Sequence, residues 1–161
     1  MNARLIVVVI GVTVLVDQLT KAAALALLSR GETVPVLPGF NLTLGFNEGS
    51  SFGMLSGVMA GKPLLMAGLT GLLTLIFAVM AVRARHPFER AGLALVVGGA
   101  LGNIIDRLRQ GAVTDFLDLY WHDWHWPTFN VADIAITLGA MCILIASLRS
   151  RRRKEPVLDQ P

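Results

Sequence analysis

Charge is scarce in this chain: only 16% of its residues are charged, where a soluble domain of similar length carries about 25%. Cysteine is scarcer still. Cys142 is the only one and lies within an apolar block, so no disulfide can form within the chain and no redox compartment can be inferred. Aromatic residues are few, and about half of them gather in one short stretch between Phe116 and Phe129. The net charge is modestly positive, and most of the basic residues sit in one loop and one tail, which suggests the cytoplasmic membrane surface rather than nucleic acid. What the chain has instead is apolar length. Hydrophobic residues make up 54% of it, and they fall in long blocks with the charges gathered between them. That pattern is that of a membrane protein.

A membrane-spanning helix needs roughly 20 mostly apolar residues. Four segments qualify: Leu5 to Leu28, Leu64 to Val82, Ala91 to Leu108 and Val131 to Leu148. The first begins like a signal peptide, with Arg4, an apolar run and small residues at Ala22 to Ala24. Asp17 and Lys21 interrupt the run where it would have to continue into a cleavage site, and three further spans follow, so a retained helix is the simpler reading. Basic residues set the orientation. Arg4, then Arg83, Arg85 and Arg90, then Arg149, Arg151, Arg152, Arg153 and Lys154 fall on one side. Both termini are therefore expected in the cytoplasm, with Ser29 to Pro63 and Gln110 to Thr128 outside. Residues 1–150 form one membrane domain in this reading, and 151–161 a polar, basic cytoplasmic tail.

The first outer segment carries period-two alternation. Phe40, Leu42, Leu44 and Phe46 are interleaved with Asn41, Thr43, Gly45 and Asn47 after the turn residues Pro35, Pro38 and Gly39, which predicts a strand with one apolar face. The second outer segment, with Phe116, Tyr120, Trp121, Trp124, Trp126 and Phe129, is expected to lie along the outer headgroups.

Polar residues inside the spans form stripes. Thr13, Asp17 and Lys21 share one helical face. So do Gly99, Asn103 and Arg107, with Asp106 beside them, and Asn130, Asp133 and Thr137. All of these converge near the outer surface, where intramembrane ionisable groups mark function. Asp17 and Lys21 alone could be a packing salt bridge. Gly98 and Gly102 suit close helix packing, and Cys142 suits a small apolar filler. Asp115 and Asp133 close the motifs GAVTDFLDL and FNVADIAI at the two ends of the second outer segment. Two carboxylates sharing a site cannot both ionise easily, so one holds a proton while the other takes one from water. Asp118 and Asp123 compete for this role but rank lower. His122, Asp123 and His125 could in principle bind zinc, though their spacing matches no strong motif. No metal and no cofactor is expected.

Taken in order, VDQLTK, FNEGSSFGM, GGALGNIIDR, GAVTDFLDL and FNVADIAI make the chain resemble the lipoprotein signal peptidases, the signal peptidase II family of bacterial aspartic peptidases. The resemblance covers nearly the whole chain. It implies four membrane helices with a small extracytoplasmic β cradle between helices 1 and 2, covering about residues 35–55. It implies an endopeptidase that removes signal peptides from diacylglyceryl-modified prolipoproteins, cutting before the lipidated cysteine in the bacterial inner membrane. Asp115 and Asp133 match the catalytic pair. Asp17, Lys21, Asn47, Gly49, Gly99, Asn103, Arg107 and Asn130 match positions that shape the site or hold substrate. The expected partners are prolipoproteins and membrane lipids, and the expected state is a monomer. Glu48, Ser50 and Ser51 depart from the family pattern, and Glu48 places an extra charge near the cradle, where it bears on substrate preference. A small transporter or proton pathway, and a non-enzymatic membrane scaffold, are the rival classes.

Overall fold

The computed structural model describes residues 2–49 and 62–152. Helix α1 runs Ala3–Leu27, opened by Asn2, whose side chain accepts from the Leu5 amide at 3.0 Å. Strands β1 (Thr33–Leu37) and β2 (Phe40–Asn47) follow. Helix α2 spans Pro63–Arg83 and α3 spans Pro87–Gln110, each with proline at its first turn, where the missing amide costs nothing. Gly111 ends α3 in the left-handed region, at φ 80°. Strands β3 (Val113–Trp121) and β4 (Trp124–His125) come next, and α4 covers Val131–Arg152. All four helices are long and apolar enough to cross a membrane. The four expected helices are present, each within a few residues of the expected bounds. Residues 50–55 of the expected cradle and 153–161 of the expected tail lie outside the described residues.

The burial pattern is that of a protein built for lipid. Leu5, Val7, Val12 and Leu15 on α1, Leu64, Leu72 and Leu75 on α2, and Leu138 and Leu144 on α4 are exposed. Helix α3 is instead the buried centre, packed against α1, α2 and α4. Lipid is as apolar as leucine, so the helices gain from close packing of small residues rather than from hydrophobic sorting. Small residues line the contacts of α3. A Cβ on Gly92 would sit 2.7 Å from the Gly139 carbonyl oxygen, and one on Gly98 would sit 2.7 Å from Thr13 Cβ. A Cβ on Gly99 would run into the carbonyl oxygen of Ala132, and one on Gly102 into the carboxylate of Asp17.

The sheet is antiparallel, ordered β1-β2-β3-β4. The alternation read between Phe40 and Asn47 is realised as β2, with a register shift between Leu42 and Gly45. Leu42, Leu44 and Phe46 pack with Ala24, Phe116 and Val131 over the ends of the helices. The second outer segment supplies half of the sheet, which its reading as a surface loop did not anticipate. The strand was hidden because β3 buries residues from both faces: Thr114, Asp115, Phe116 and Asp118 are all buried, so no period of two survives in its hydrophobicity. Gly45 opposite Asp115 and Phe40 opposite Leu119 fix the register between β2 and β3.

Candidate active site

The site forms where the first turn of α4, the outer part of α3 and strand β3 meet. Asn130 stands just before α4 and caps it. Its side-chain oxygen accepts from the Asp133 amide at 3.0 Å, and the Asp133 carboxylate accepts from the Asn130 amide at 3.2 Å. This is a reciprocal capping arrangement, and it fixes Asp133 in the first turn. The Asn130 side-chain nitrogen then donates to Asp115 Oδ1 at 2.7 Å. One asparagine, itself fully buried, therefore touches both aspartates. From α3, Asn103 donates to the remaining oxygen of Asp133 at 2.9 Å. Asn47, at the end of β2, lies close enough to Asp115 to favour its ionised form, and its side-chain oxygen accepts from the Gly49 amide at 2.9 Å.

The carboxyl of Asp115 is pushed up to about 7, first by burial and then by the negative charge of Asp133, against the hydrogen bonds of Asn130 and Asn47 and the charge of Lys21. A carboxyl raised this far exchanges its proton near neutral pH, next to a second carboxylate. A pair of this kind titrates as one unit.

Behind the pair lies a polar network built on α1. Lys21 is buried and donates in three directions, to Asp17 at 2.9 Å, to Asp106 at 2.9 Å and to Asn103 Oδ1 at 2.8 Å. Asp17 also accepts from the Ala132 amide at 2.9 Å, tying α1 to α4. The packing salt bridge is therefore present, but Lys21 also reaches the asparagine that holds Asp133. Arg107 donates to the Asn103 carbonyl at 3.4 Å, and its buried Nε has no partner among the described residues. The guanidinium lies within electrostatic reach of Asp115, Asp133 and Asp106.

The two glycines of the expected set act by conformation and space. Gly49 adopts φ 101° beyond β2, against Met66 of α2. Gly99 lies one turn before Asn103, in van der Waals contact with the α4 backbone at Ala132. A carbonyl cannot yield, so Gly99→Ala must push α3 from α4. The expected outcome is a loss of about 1–3 kcal/mol of stability, with a fall in kcat as Asn103 leaves Asp133. A thermal melt in detergent, read beside the cleavage rate, checks it.

The competing carboxylate Asp118 has a different environment. Burial raises its pKa, but hydrogen bonds from His125, Asn41 and Thr43 outweigh that and leave it below the usual range. The contacts are 2.8, 3.3 and 3.1 Å, and they lock β2, β3 and β4 together. A carboxylate held ionised this way ties strands and does not exchange protons near neutral pH. His125, bonded to Asp118, also stacks on Tyr120, and His122 meets Trp121 edge-on. Glu48 is exposed. Residues that motif reading left out of the site are Gln18, Thr114 and Asp106. Asp106 stood beside the Asn103 stripe, and its place was legible only once α1 and β3 were packed against it.

An open groove of about 320 Å³ leads to Asp133, lined by Leu119, Trp126, Phe129, Ile134, Thr137 and Leu138.

Comparison with known proteins places the chain in a family and matches its fold. Residues 9–149 match the family model for signal peptidase (SPase) II. The chain is 43% identical to the lipoprotein signal peptidase of Ralstonia nicotianae over 143 residues, covering 87% of this chain and 82% of that one. It is 38% identical to the lipoprotein signal peptidase of Yersinia pseudotuberculosis, covering 91% and 88%. A solved bacterial membrane enzyme, determined by the in meso method at 2.3 Å, superposes with a TM-score of 0.84 at 27% identity, covering 98% of this chain and 96% of that one. The chain is a multi-pass membrane protein, and it belongs to the signal peptidase II family of aspartic peptidases.

Proposed function

We propose that Asp115 and Asp133 are the catalytic pair through which this family's lipoprotein signal peptidase activity is carried out. The observation that supports this best is Asn130, which bonds to both carboxylates at once and holds them at one place. The ionised carboxylate takes a proton from water as the water oxygen attacks the scissile carbonyl. The protonated carboxyl donates to the carbonyl oxygen. A tetrahedral diol forms, and its collapse passes a proton to the departing amine. No covalent enzyme intermediate is needed. Asn103 and Asn130 orient the carboxylates, and the Arg107 guanidinium, within electrostatic reach of both, offsets developing negative charge. Asp17, Lys21, Asn47, Gly49 and Gly99 support the site.

The substrate is a diacylglyceryl-modified prolipoprotein, cut before the lipidated cysteine. Its acyl chains concentrate it in the membrane, at about 0.8 kcal/mol per buried methylene, so enzyme and substrate meet at a common depth. The apolar groove beside Asp133 suits the apolar part of such a substrate. The basic residues near Arg4, Arg83 to Arg90 and Arg149 to Lys154 support cytoplasmic termini in the bacterial inner membrane and a site near the outer face. Residues 1–150 then form one peptidase domain, 151–161 a basic tail, and one chain supplies the complete site, as a monomer. A transporter would carry polar groups through the membrane depth, whereas here they collect at one end. A scaffold would give no reason for two carboxylates to share one site.

Incubating the purified full-length chain with a prolipoprotein bearing or lacking the diacylglyceryl group tests this reading by mass shift. Release of the signal peptide before the cysteine, from the lipidated form only, is expected. Equal cleavage of both forms, or cleavage elsewhere, overturns the substrate assignment.

A further inference from the structure

We infer that Asp106, which belongs to neither aspartate motif, is a positioning residue that sets both carboxylates of the pair: Asp133 through Lys21 and Asn103, and Asp115 through the backbone of Thr114. The inference rests on the reading of Asp115 and Asp133 as the catalytic pair.

Asp106 is buried, and one of its oxygens serves two elements. Oδ2 accepts from Lys21 Nζ at 2.9 Å and from the Thr114 amide at 3.0 Å. Oδ1 accepts from Gln18 Nε2 at 3.0 Å. The first bond acts on Asp133. An ammonium has three donors and no acceptor, and those of Lys21 meet Asp17, Asp106 and Asn103. Because Lys21 can only donate, it holds the Asn103 oxygen toward itself and so turns the Asn103 amide nitrogen to Asp133. Loss of the Asp106 contact frees the lysine head to swing toward Asp17, and the Asn103 oxygen is then held only by the longer bond from Asn130, at 3.3 Å. The second bond acts on Asp115. Thr114 is fully buried and directly precedes Asp115, so its amide needs an internal acceptor. The Asp106 carboxylate supplies it across the turn from α3 into β3. Gln110 braces the same turn, donating to Thr114 Oγ1 at 2.7 Å and to the Ala112 carbonyl at 3.0 Å.

Neutralising Lys21 is the simpler role for Asp106, but Asp17 already provides a buried counter-charge at the same distance. The two roles predict opposite results for two near-conservative variants. Asp106→Asn removes the charge but can place its one carbonyl oxygen where Oδ2 stands, keeping the bonds to Lys21 and Thr114. Asp106→Glu keeps the charge but moves the oxygens by one methylene. The cavity of about 200 Å³ beside Asp106, between Gln18, Lys21, Gln110 and Thr114, has room for that extension.

The experiment is steady-state cleavage of a diacylglyceryl-modified prolipoprotein by the full-length chain in detergent, per folded enzyme, with wild type, both variants and Asp115→Asn side by side. Positioning predicts that Asp106→Glu loses about 10- to 100-fold in kcat, as expected for a displacement of a fraction of an ångström up to about one, with KM within about twofold. It predicts that Asp106→Asn stays within about threefold of wild type in kcat. Wild-type kcat in Asp106→Glu, or a loss in Asp106→Asn as deep as in Asp106→Glu, overturns the inference, as does a change confined to KM. If Asp106→Glu does not fold, Asp106→Asn decides: retained kcat supports positioning and a deep loss overturns it. Cleavage by Asp115→Asn overturns the catalytic pair itself, whatever the Asp106 variants do.

Discussion

Asp115→Asn and Asp133→Asn are each expected to lower kcat/KM for a diacylglyceryl-modified prolipoprotein by about 10³-fold or more, with both proteins folded and inserted. General acid–base catalysis contributes about 10²–10⁴-fold for each group, and two groups acting as a unit lose most of their effect when either is removed. An asparagine has the shape of the carboxylate and one acceptor oxygen, so Asp115→Asn can keep the bond from Asn130 and Asp133→Asn one of its two bonds from Asn130 and Asn103, and the fold survives while the proton is lost. The pair also predicts a pH profile. With Asp115 held at about 7, cleavage by wild type falls as pH rises through about 7, because the pair loses the proton it shares. Stability gives an independent control. The folded value of Asp115 lies above its unfolded value of 3.8. Its contribution to stability is therefore fully present below about 4 and is lost as pH rises through about 7. Asp115→Asn should melt higher than wild type at pH 8 and no higher at pH 4. A variant that melts lower at both pH values would assign its lost activity to unfolding and leave the catalytic assignment without support. The readouts are the mass shift of the substrate and the melting temperature in detergent.

The second large effect lies behind the pair. Lys21→Met should cost about 3–5 kcal/mol of stability, because it leaves buried carboxylates without their cation. Asp17 is fully buried and Asp106 is 6% exposed, and Lys21 stands 2.9 Å from each. The loss would appear as a lower melting temperature and a lower folded yield. The triple change Lys21→Met, Asp17→Asn, Asp106→Asn should recover much of that stability, since no buried charge is then unpaired. It should not recover activity, because the Asn103 oxygen then loses its 2.8 Å bond from Lys21 and keeps only the 3.3 Å bond from Asn130 to hold it away from Asp133. A single Lys21→Met variant that melts like wild type would show that the ion cluster carries no stability.

The linear chain determined much of this protein. Apolar runs of about 20 residues can satisfy their backbone only as helices in a membrane, so four spans are readable from length and composition. The turn residues and alternation at Phe40 to Asn47 made β2 readable. The spacing of Thr13, Asp17 and Lys21, and of Gly99, Asn103 and Arg107, put each set on one face, because helical periodicity is local. Motif order along the chain carried the family resemblance, and with it Asp115 and Asp133.

Tertiary structure alone decided the rest. Strand β3 has no alternating pattern because it is buried on both faces, so its pairing with β2 is a property of the assembled sheet. Asp118 and Asp115 are three residues apart in one strand and look alike in sequence. Their environments separate them: His125, Asn41 and Thr43 surround the first, while a second carboxylate and burial surround the second. Asp106 shares a helix with Asn103 but takes its role from Lys21, 85 residues earlier, and from Thr114 across a turn. Hydrogen bonds between distant segments leave no period in the sequence, since each partner is fixed only when the helices have packed.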